Sequence, residues 1–407
     1  MEDEAVPREA GPASWMSPGV AGIGLASFFS DAGHEISTAL LPHLLTSTLG
    51  APASALGLIE GLSDGAAGAA KLAGGALADD PARRRAIAVG GYSSTALLVS
   101  LTSLATAAWQ VGVLRTGAWA ARGLRGPARN AILADLVPKQ AYGRAYGFER
   151  AMDNLGAIAG PILAIVLVGI VGVRNAIALS IIPGLLAALS IFYAVRSAPR
   201  ARRSEREPVR LKIRPVLTGR LGRMMVGITA FEFGNVAATL LILRATDLLR
   251  PEHGRQAATQ LAIGLYVLYN AAASVASVPA GKAGDSWGTT RVLALGVGLF
   301  AVAYLGFAAA GNGVLALAPW FVAAGVGIGC VETSEHAAVA ALAPAKIRSS
   351  AFGVLATIQS LGNFVASALA GLLWTAISPR AAFGFLAACM LISLGAIFAT
   401  RSAAPAG

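Results

Sequence analysis

Apolar residues run along this chain in long blocks separated by short polar breaks. The stretches 86–108, 158–173, 176–195, 292–310 and 382–400 are almost wholly apolar. A helix needs about 20 such residues to cross a bilayer. Only helices and closed barrels satisfy their backbone hydrogen bonds in lipid. The blocks lack the alternation and the roughly 10-residue length of barrel strands, so they are read as helices. The same reading over the remaining, more polar blocks predicts twelve helices, at 18–43, 53–78, 85–108, 110–136, 144–172, 174–196, 222–248, 258–283, 289–311, 313–342, 347–376 and 380–401. The fold class expected is an all-α membrane protein.

Charge then orients the helices. Charged residues make up 13% of the 407 residues, against about 25% in soluble domains. The net charge of +11 would point to nucleic acid in a soluble chain, but here the basic residues sit between apolar blocks. Arg83, Arg84 and Arg85 follow helix 2, and Lys139 and Arg144 follow helix 4. Ten basic residues lie between Arg196 and Arg223, Lys282 and Arg291 flank the break after helix 8, and Lys346 and Arg348 follow helix 10. The odd-numbered breaks are poor in them, except for Arg244, Arg250 and Arg255 after helix 7. Basic loops stay on the cytoplasmic side, which places both termini there. Residues 1–11 are acidic, unlike the basic start of a signal peptide. The expected organisation is a six-helix bundle over 1–196, a basic linker over 197–221 and a second bundle over 222–407. Ala- and Arg-rich usage points to a bacterial inner membrane. Cys330 and Cys389 fall inside predicted spans, so neither a disulfide framework nor a metal cluster is expected.

The two halves resemble each other. Gly75–Asp79 matches Gly281–Asp285, an offset of 281 − 75 = 206. Ala134–Pro138 with the following Arg144–Gly147 matches Ala340–Pro344 with Ser350–Gly353 at 344 − 138 = 206, and Leu155-Gly156 matches Leu361-Gly362 at the same offset. Separated matches at one offset imply two homologous six-helix halves in parallel orientation.

On these residues the chain resembles the major facilitator superfamily. Gly75-Ala-Leu-Ala-Asp79-Asp80-Pro-Ala-Arg83-Arg84 is similar to that family's loop signature Gly-x-x-x-Asp-Arg-x-Gly-Arg-Arg, between helices 2 and 3. Asp80 and Ala82 depart from it; the second copy keeps Gly281, Asp285 and Gly288. Gly156, Gly160 and Pro161 on helix 5 are similar to an antiporter signature, with Ala164 and Ile165 in place of its last glycines. The resemblance implies twelve helices in two pseudo-symmetric bundles and secondary transport by alternating access. It also implies a cytoplasmic latch through Asp79 and Arg83, and a central cavity lined by helices 1, 4, 7 and 10. The helix-5 glycines fit either an export-specific role or plain close packing.

Charged residues within spans are costly and mark function. Asp31, His34 and Glu35 share one face of helix 1, and Glu332, Glu335 and His336 repeat that spacing on helix 10. Arg115, Arg122, Arg125 and Arg129 form a stripe on helix 4, and Glu232 and Asn235 lie on helix 7. Asp31 and Glu35 are expected to face Glu335 and His336 across one cavity. Arg129 can instead pair with Glu149 or Asp153. Acid–imidazole pairs suit proton coupling or a metal-ion cargo, while the arginines suit an anionic or zwitterionic substrate. Three functions follow: proton-coupled export of a small organic molecule, transport of a metal ion or metal complex, or a non-transporting sensor or scaffold. No P-loop motif is present, and no enzyme, cofactor, resident metal or nucleic-acid partner is expected. The expected partners are a small-molecule substrate, protons and the bilayer, with the chain a monomer.

Overall fold

The structure, a computed structural model, describes residues 15–197 and 210–402. Among these residues it is helical throughout, without strands. The first half contains α1 (Pro18–His43), α2 (Ala53–Ala78), α3 (Pro81–Leu101), α4 (Ala108–Leu136), α5 (Tyr142–Leu179) and α6 (Ile181–Ser197). A short α7 (Ile213–Val216) precedes α8 (Gly219–Glu232), α9 (Ala238–Trp287), α10 (Thr289–Ala309), α11 (Val314–Leu342), α12 (Arg348–Ala376) and α13 (Pro379–Ser402). The acidic N-terminal tail and most of the basic linker lie outside the described residues.

Local chemistry sets several boundaries. Ser17 caps α1 ahead of Pro18 at the first helical position. Asp80 caps α3 ahead of Pro81, its carboxylate accepting the Ala82 N–H at 2.9 Å. The departure of Asp80 from the family signature thus has a local reason. Helices 1 and 2 begin and end where the pattern predicts. Helices 5 and 6 also divide where the pattern predicts: α5 turns at Gly172, where φ is 77°, and the second leg continues into α6. α9 likewise turns at Gly254, with φ 74°. Positive φ is the region that glycine enters freely, so the chain reverses at both points without a separate loop. Predicted helix 7 is split between α8 and the first leg of α9, with residues 233–237 non-helical.

Counting both legs of α5 and α9, the described chain crosses the membrane twelve times, in two six-helix bundles. Seven helical stretches are long and apolar enough to span by length and composition alone: 81–104, 139–196 with its two crossings, 256–287, 289–309, 314–342, 345–376 and 379–399. The crossings that fall short are α1, α2, α4 and α8 with the first leg of α9. These carry the intramembrane charges Asp31, Glu35, Lys71, Arg122 and Glu232. Their polarity is affordable only if they face one another rather than lipid.

The bundles interlock through α2 against α12 and α5 against α9. Gly75 packs on Ser349 and Gly353 of α12. Gly143 and Gly281 meet backbone to backbone; a Cβ on Gly281 would lie 2.1 Å from the Gly143 carbonyl oxygen. All these contacts lie at the end of the molecule that carries the two signature loops.

Candidate translocation site

The glycines of α5 set the position of the acids on α1. A Cβ on Gly156 would come within 2.5 Å of the Phe28 carbonyl oxygen and 2.9 Å of the Asp31 side chain. At Gly160 it would come within 2.4 Å of the Glu35 Cβ. Pro161 follows inside the same helix. Without side chains at 156 and 160, α1 lies close on α5, which fixes where Asp31 and Glu35 stand.

Asp31, His34 and Glu35 do share a site, and Arg122 of α4 completes it. Arg122 donates to Asp31 at 3.0 Å and also hydrogen-bonds the His34 ring. Glu35 Oε1 meets Nε2 of that ring at 3.1 Å, a nitrogen that Arg122 also contacts. Arginine can only donate; with Nδ1 accepting from it at 2.8 Å, the Nε2–H is left for Glu35. Asp31 and His34 are buried, while the Arg122 side chain is 32% exposed. Trp119 stands edge-on to His34 and lies 4.0 Å beneath the Arg115 guanidinium.

The rest of the arginine stripe does not stay together. Arg115 pairs with Glu60 of α2 at 2.8 Å. Arg125 turns behind α1, donating to Ser30 at 2.5 Å and stacking 3.6 Å from the Tyr92 ring. Arg129 pairs with Glu149 of α5 at 2.8 Å, the structural alternative read from the sequence. Successive steps of seven, three and four residues drift around a 3.6-residue helix, and three neighbouring helices collect the stripe.

Helix 10 divides in the same way. Glu332 approaches Arg150 of α5 at 3.8 Å, across the interface between halves. Glu335 is fully buried and accepts from Gln359 of α12 at 2.9 Å. His336 bonds the Glu332 carbonyl oxygen at 2.8 Å, with its ring between Tyr146 and Phe352. The expected meeting of Asp31 and Glu35 with Glu335 and His336 is therefore not observed. Consecutive helical residues point about 100° apart, and α11 is wedged between α5 and α12, so Glu332 and His336 meet α5 of the other half while Glu335 turns to α12. On helix 7, Asn235 donates to Glu232 at 3.0 Å. The non-helical stretch there is held by Asn363, Ser367 and Tyr304, which bond Asn235 O, Ala237 N and Val236 N.

Several central residues escaped the sequence reading. Arg150 is gripped by Glu149 through two bonds, at 2.7 and 2.8 Å, and lies 3.2 Å from Asp153. Lys71 on α2 donates to Ser360 of α12 at 2.5 Å. The signal was present in both cases: one lysine in a Gly/Ala-rich span, and an i, i+3 Arg–Asp pair at the start of helix 5.

Below this chamber the signature loops clamp the halves. Asp79 accepts the Ser350 N–H at 2.9 Å and the Ser350 hydroxyl at 2.6 Å. Asp285 accepts the N–H groups of Gly143 at 2.7 Å and Arg144 at 3.1 Å. Both carboxylates thus sit at helix N-termini, where the backbone dipoles favour negative charge. Arg83, expected at the latch, pairs with Asp80 of its own turn at 3.2 Å and is partly exposed. Arg84 is buried instead and binds Asp135 at 2.6 Å, and Arg348 of the other half meets the same carboxylate at 3.1 Å.

A family model described as Major Facilitator Superfamily matches residues 23–248 and 225–407. The chain belongs to the major facilitator superfamily. It is a multi-pass membrane transporter with that family's fold. It is 27% identical over 384 residues to an uncharacterised MFS-type transporter of Methanocaldococcus jannaschii, covering 91% of this chain and 92% of that one. An uncharacterised protein of Mycobacterium tuberculosis is 27% identical over 387 residues, covering 93% and 91%. Among solved structures, the human organic anion transporter MFSD10 superposes with a TM-score of 0.74 at 15% identity, over 93% of this chain and 99% of that one. A bacterial homologue of the iron transporter ferroportin, in its outward-facing state, gives 0.75 at 12% identity over 94% and 99%. The transporter FucP in its outward conformation gives 0.71 at 14% identity over 95% and 99%. These likenesses establish the major facilitator fold.

Proposed function

We propose that this transporter exports a small organic molecule in exchange for protons. The observation that carries the reading is the cluster of Asp31, His34, Glu35 and Arg122 in the interior of the N-terminal bundle. An imidazole flanked by two carboxylates and an arginine changes its proton inventory when its exposure to water changes, and alternating access changes that exposure. A scaffold would have no use for such a cluster, which is costly in lipid. For a metal-ion cargo the support is weaker: among the described residues no three His, Cys, Asp or Glu side chains converge as ligands.

In this reading the clamped end is cytoplasmic, so the chamber opens outward in the state described. The segment 197–221 is the cytoplasmic linker, and the address is the inner membrane of a bacterium. The protein acts as a monomer.

Proteoliposomes with an imposed pH gradient test the coupling. Export predicts gradient-driven substrate movement that collapses in Asp31→Asn and Glu35→Gln, while downhill exchange persists. Full gradient-driven transport by both variants would exclude these acids from coupling. Orientation is tested separately by labelling cysteines introduced at Arg210 and Asn312; labelling of both from one side would overturn the topology.

A further inference from the structure

Among the described residues, Lys71 is an intramembrane cation that no carboxylate meets within 4 Å; Arg244 is another, but it is buried and donates to the Phe307 carbonyl oxygen. Arg115, Arg122, Arg129 and Arg150 each meet a carboxylate within 4 Å. Arg125 also lacks one, but it is buried behind α1 with its face covered by Tyr92. Lys71 is only half-buried, and its ammonium finds one neutral hydroxyl, Ser360 Oγ, at 2.5 Å. Its charged neighbours at longer range are Arg122, Asp64 and Glu232. A charge at membrane depth is expensive, and a single hydroxyl on a helix of the opposite half is thin compensation for it.

Position adds to this. Lys71 lies one turn from Gly75, where α2 touches α12, and itself bonds α12, so it stands between the halves close to the clamp. Arg122, a third exposed, looks into the same space from α4. Tyr266 and Tyr269 of α9 stack with ring centroids 5.7 Å apart. Glu332 lies near both rings, and Glu35 near Tyr266. Of the acids around it, Asp31 meets Arg122, Glu35 meets His34 and Glu332 meets Arg150, whereas Glu232 and Glu335 have only the neutral amides of Asn235 and Gln359, and Glu335 Oε1 has no partner. Beside Lys71 the nearby Arg122 charge repels the ammonium, and an anion held between the two would relieve that repulsion.

We propose that the chamber takes an organic carboxylate, its head between Lys71 and Arg122 and its apolar body against Tyr266 and Tyr269. Lys71 is the residue that selects for negative charge. The assignment rests on reading the chamber as the translocation site. The ammonium leaves Ser360 for the substrate carboxylate, which replaces a neutral acceptor by a charged one. That exchange also releases a bond between the two halves, so substrate arrival loosens their contact.

Three probes of matched shape test the charge preference: 3-phenylpropionate, 3-phenylpropanamide and 3-phenylpropylamine. Each is titrated against the full-length protein in detergent, with the thermal unfolding midpoint as readout. The carboxylate should raise the midpoint saturably, and the amide and amine should not. Lys71→Gln should weaken carboxylate binding at least roughly tenfold, as expected for loss of a charge-assisted hydrogen bond. Lys71→Arg should retain it, and Ser360→Ala should bind as well as wild type or better. Equal protection by the amide or the amine, unchanged carboxylate binding in Lys71→Gln, or no protection by any probe would each overturn the assignment. Carboxylate binding without proton-driven movement in liposomes would sink the coupling reading and leave this one standing. Proton-driven movement of the amine alone would do the reverse.

Discussion

Asp79 of the N-terminal half accepts both the backbone N–H and the hydroxyl of Ser350 of the C-terminal half. At 285 − 79 = 206 residues further on, Asp285 caps the N-terminus of α5 in return. The internal repeat of the sequence thus reappears as two reciprocal contacts, each half supplying one carboxylate and one helix start.

Loss of a carboxylate from this clamp should open it. A charge at a helix terminus contributes about 0.3–1 kcal/mol, and up to about 2 kcal/mol when partly buried. Asp79→Asn should therefore shift the closed-to-open ratio by roughly five- to thirtyfold, the factor for 1–2 kcal/mol. Double electron–electron resonance between labels at residues 139 and 346 reads that ratio; an unchanged distance distribution would remove Asp79 from the clamp.

Arg84→Ala should be the more damaging of two neighbouring substitutions. Arg84 is buried on Asp135, which it shares with Arg348 across the interface, whereas Arg83 bonds only within its own turn. Removing a buried hydrogen-bonding partner costs about 1–3 kcal/mol; an exposed pair contributes about 0–1 kcal/mol. Transport rates at equal membrane levels should fall strongly in Arg84→Ala and little in Arg83→Ala. The opposite order would return the role to Arg83.

Gly281→Val should pry the same end apart without removing any charge. The new side chain would collide with backbone at Gly143, which cannot rotate away. A cysteine at Ser277, buried in the closed state, should then react with a water-soluble maleimide more than tenfold faster than in the otherwise wild-type chain. Equal reactivity would mean that the halves do not separate there.

Asp31 and Arg122 should behave as a coupled pair in stability. Breaking a buried ion pair from one side costs about 3–5 kcal/mol; with Arg122 a third exposed, about 2 kcal/mol is the reasonable expectation. Asp31→Asn and Arg122→Gln should each lower the melting temperature, and the double variant should lose less than their sum. Strict additivity would show that the two groups do not depend on each other.

The fold was largely legible because its signals are long ones. Span length, the 206-residue repeat and the basic loops need no partner to be read. α1 and α2 begin and end where the pattern puts them, since proline, polar caps and loop residues mark their ends. The turn at Gly172 falls at the predicted break between 172 and 174, and that at Gly254 falls inside the predicted break of 249–257, which the structure narrows to one residue. The break at 233–237 was not legible. Its backbone groups are satisfied by Asn363, Ser367 and Tyr304, more than 60 residues away in sequence. In the chamber, the helix-1 cluster was readable from spacing alone. The sorting of Glu332, Glu335 and His336 was not, because which part of a 100° arc meets which neighbour is decided by tertiary packing. Lys71 carried a signal in its isolation, but its importance depends on the pairing of every other charge around it.

The reversals at Gly172 and Gly254 also bear on what the far side of the membrane offers to other molecules. A protease needs several residues of extended, accessible backbone, and an antibody needs a protruding epitope. A chain that turns on a single glycine within a run of helix presents neither. At these two turns the protein should resist surface proteolysis and tolerate tag insertions poorly. The usable handles on that face are the true loops, at 49–52, 105–107 and 310–313.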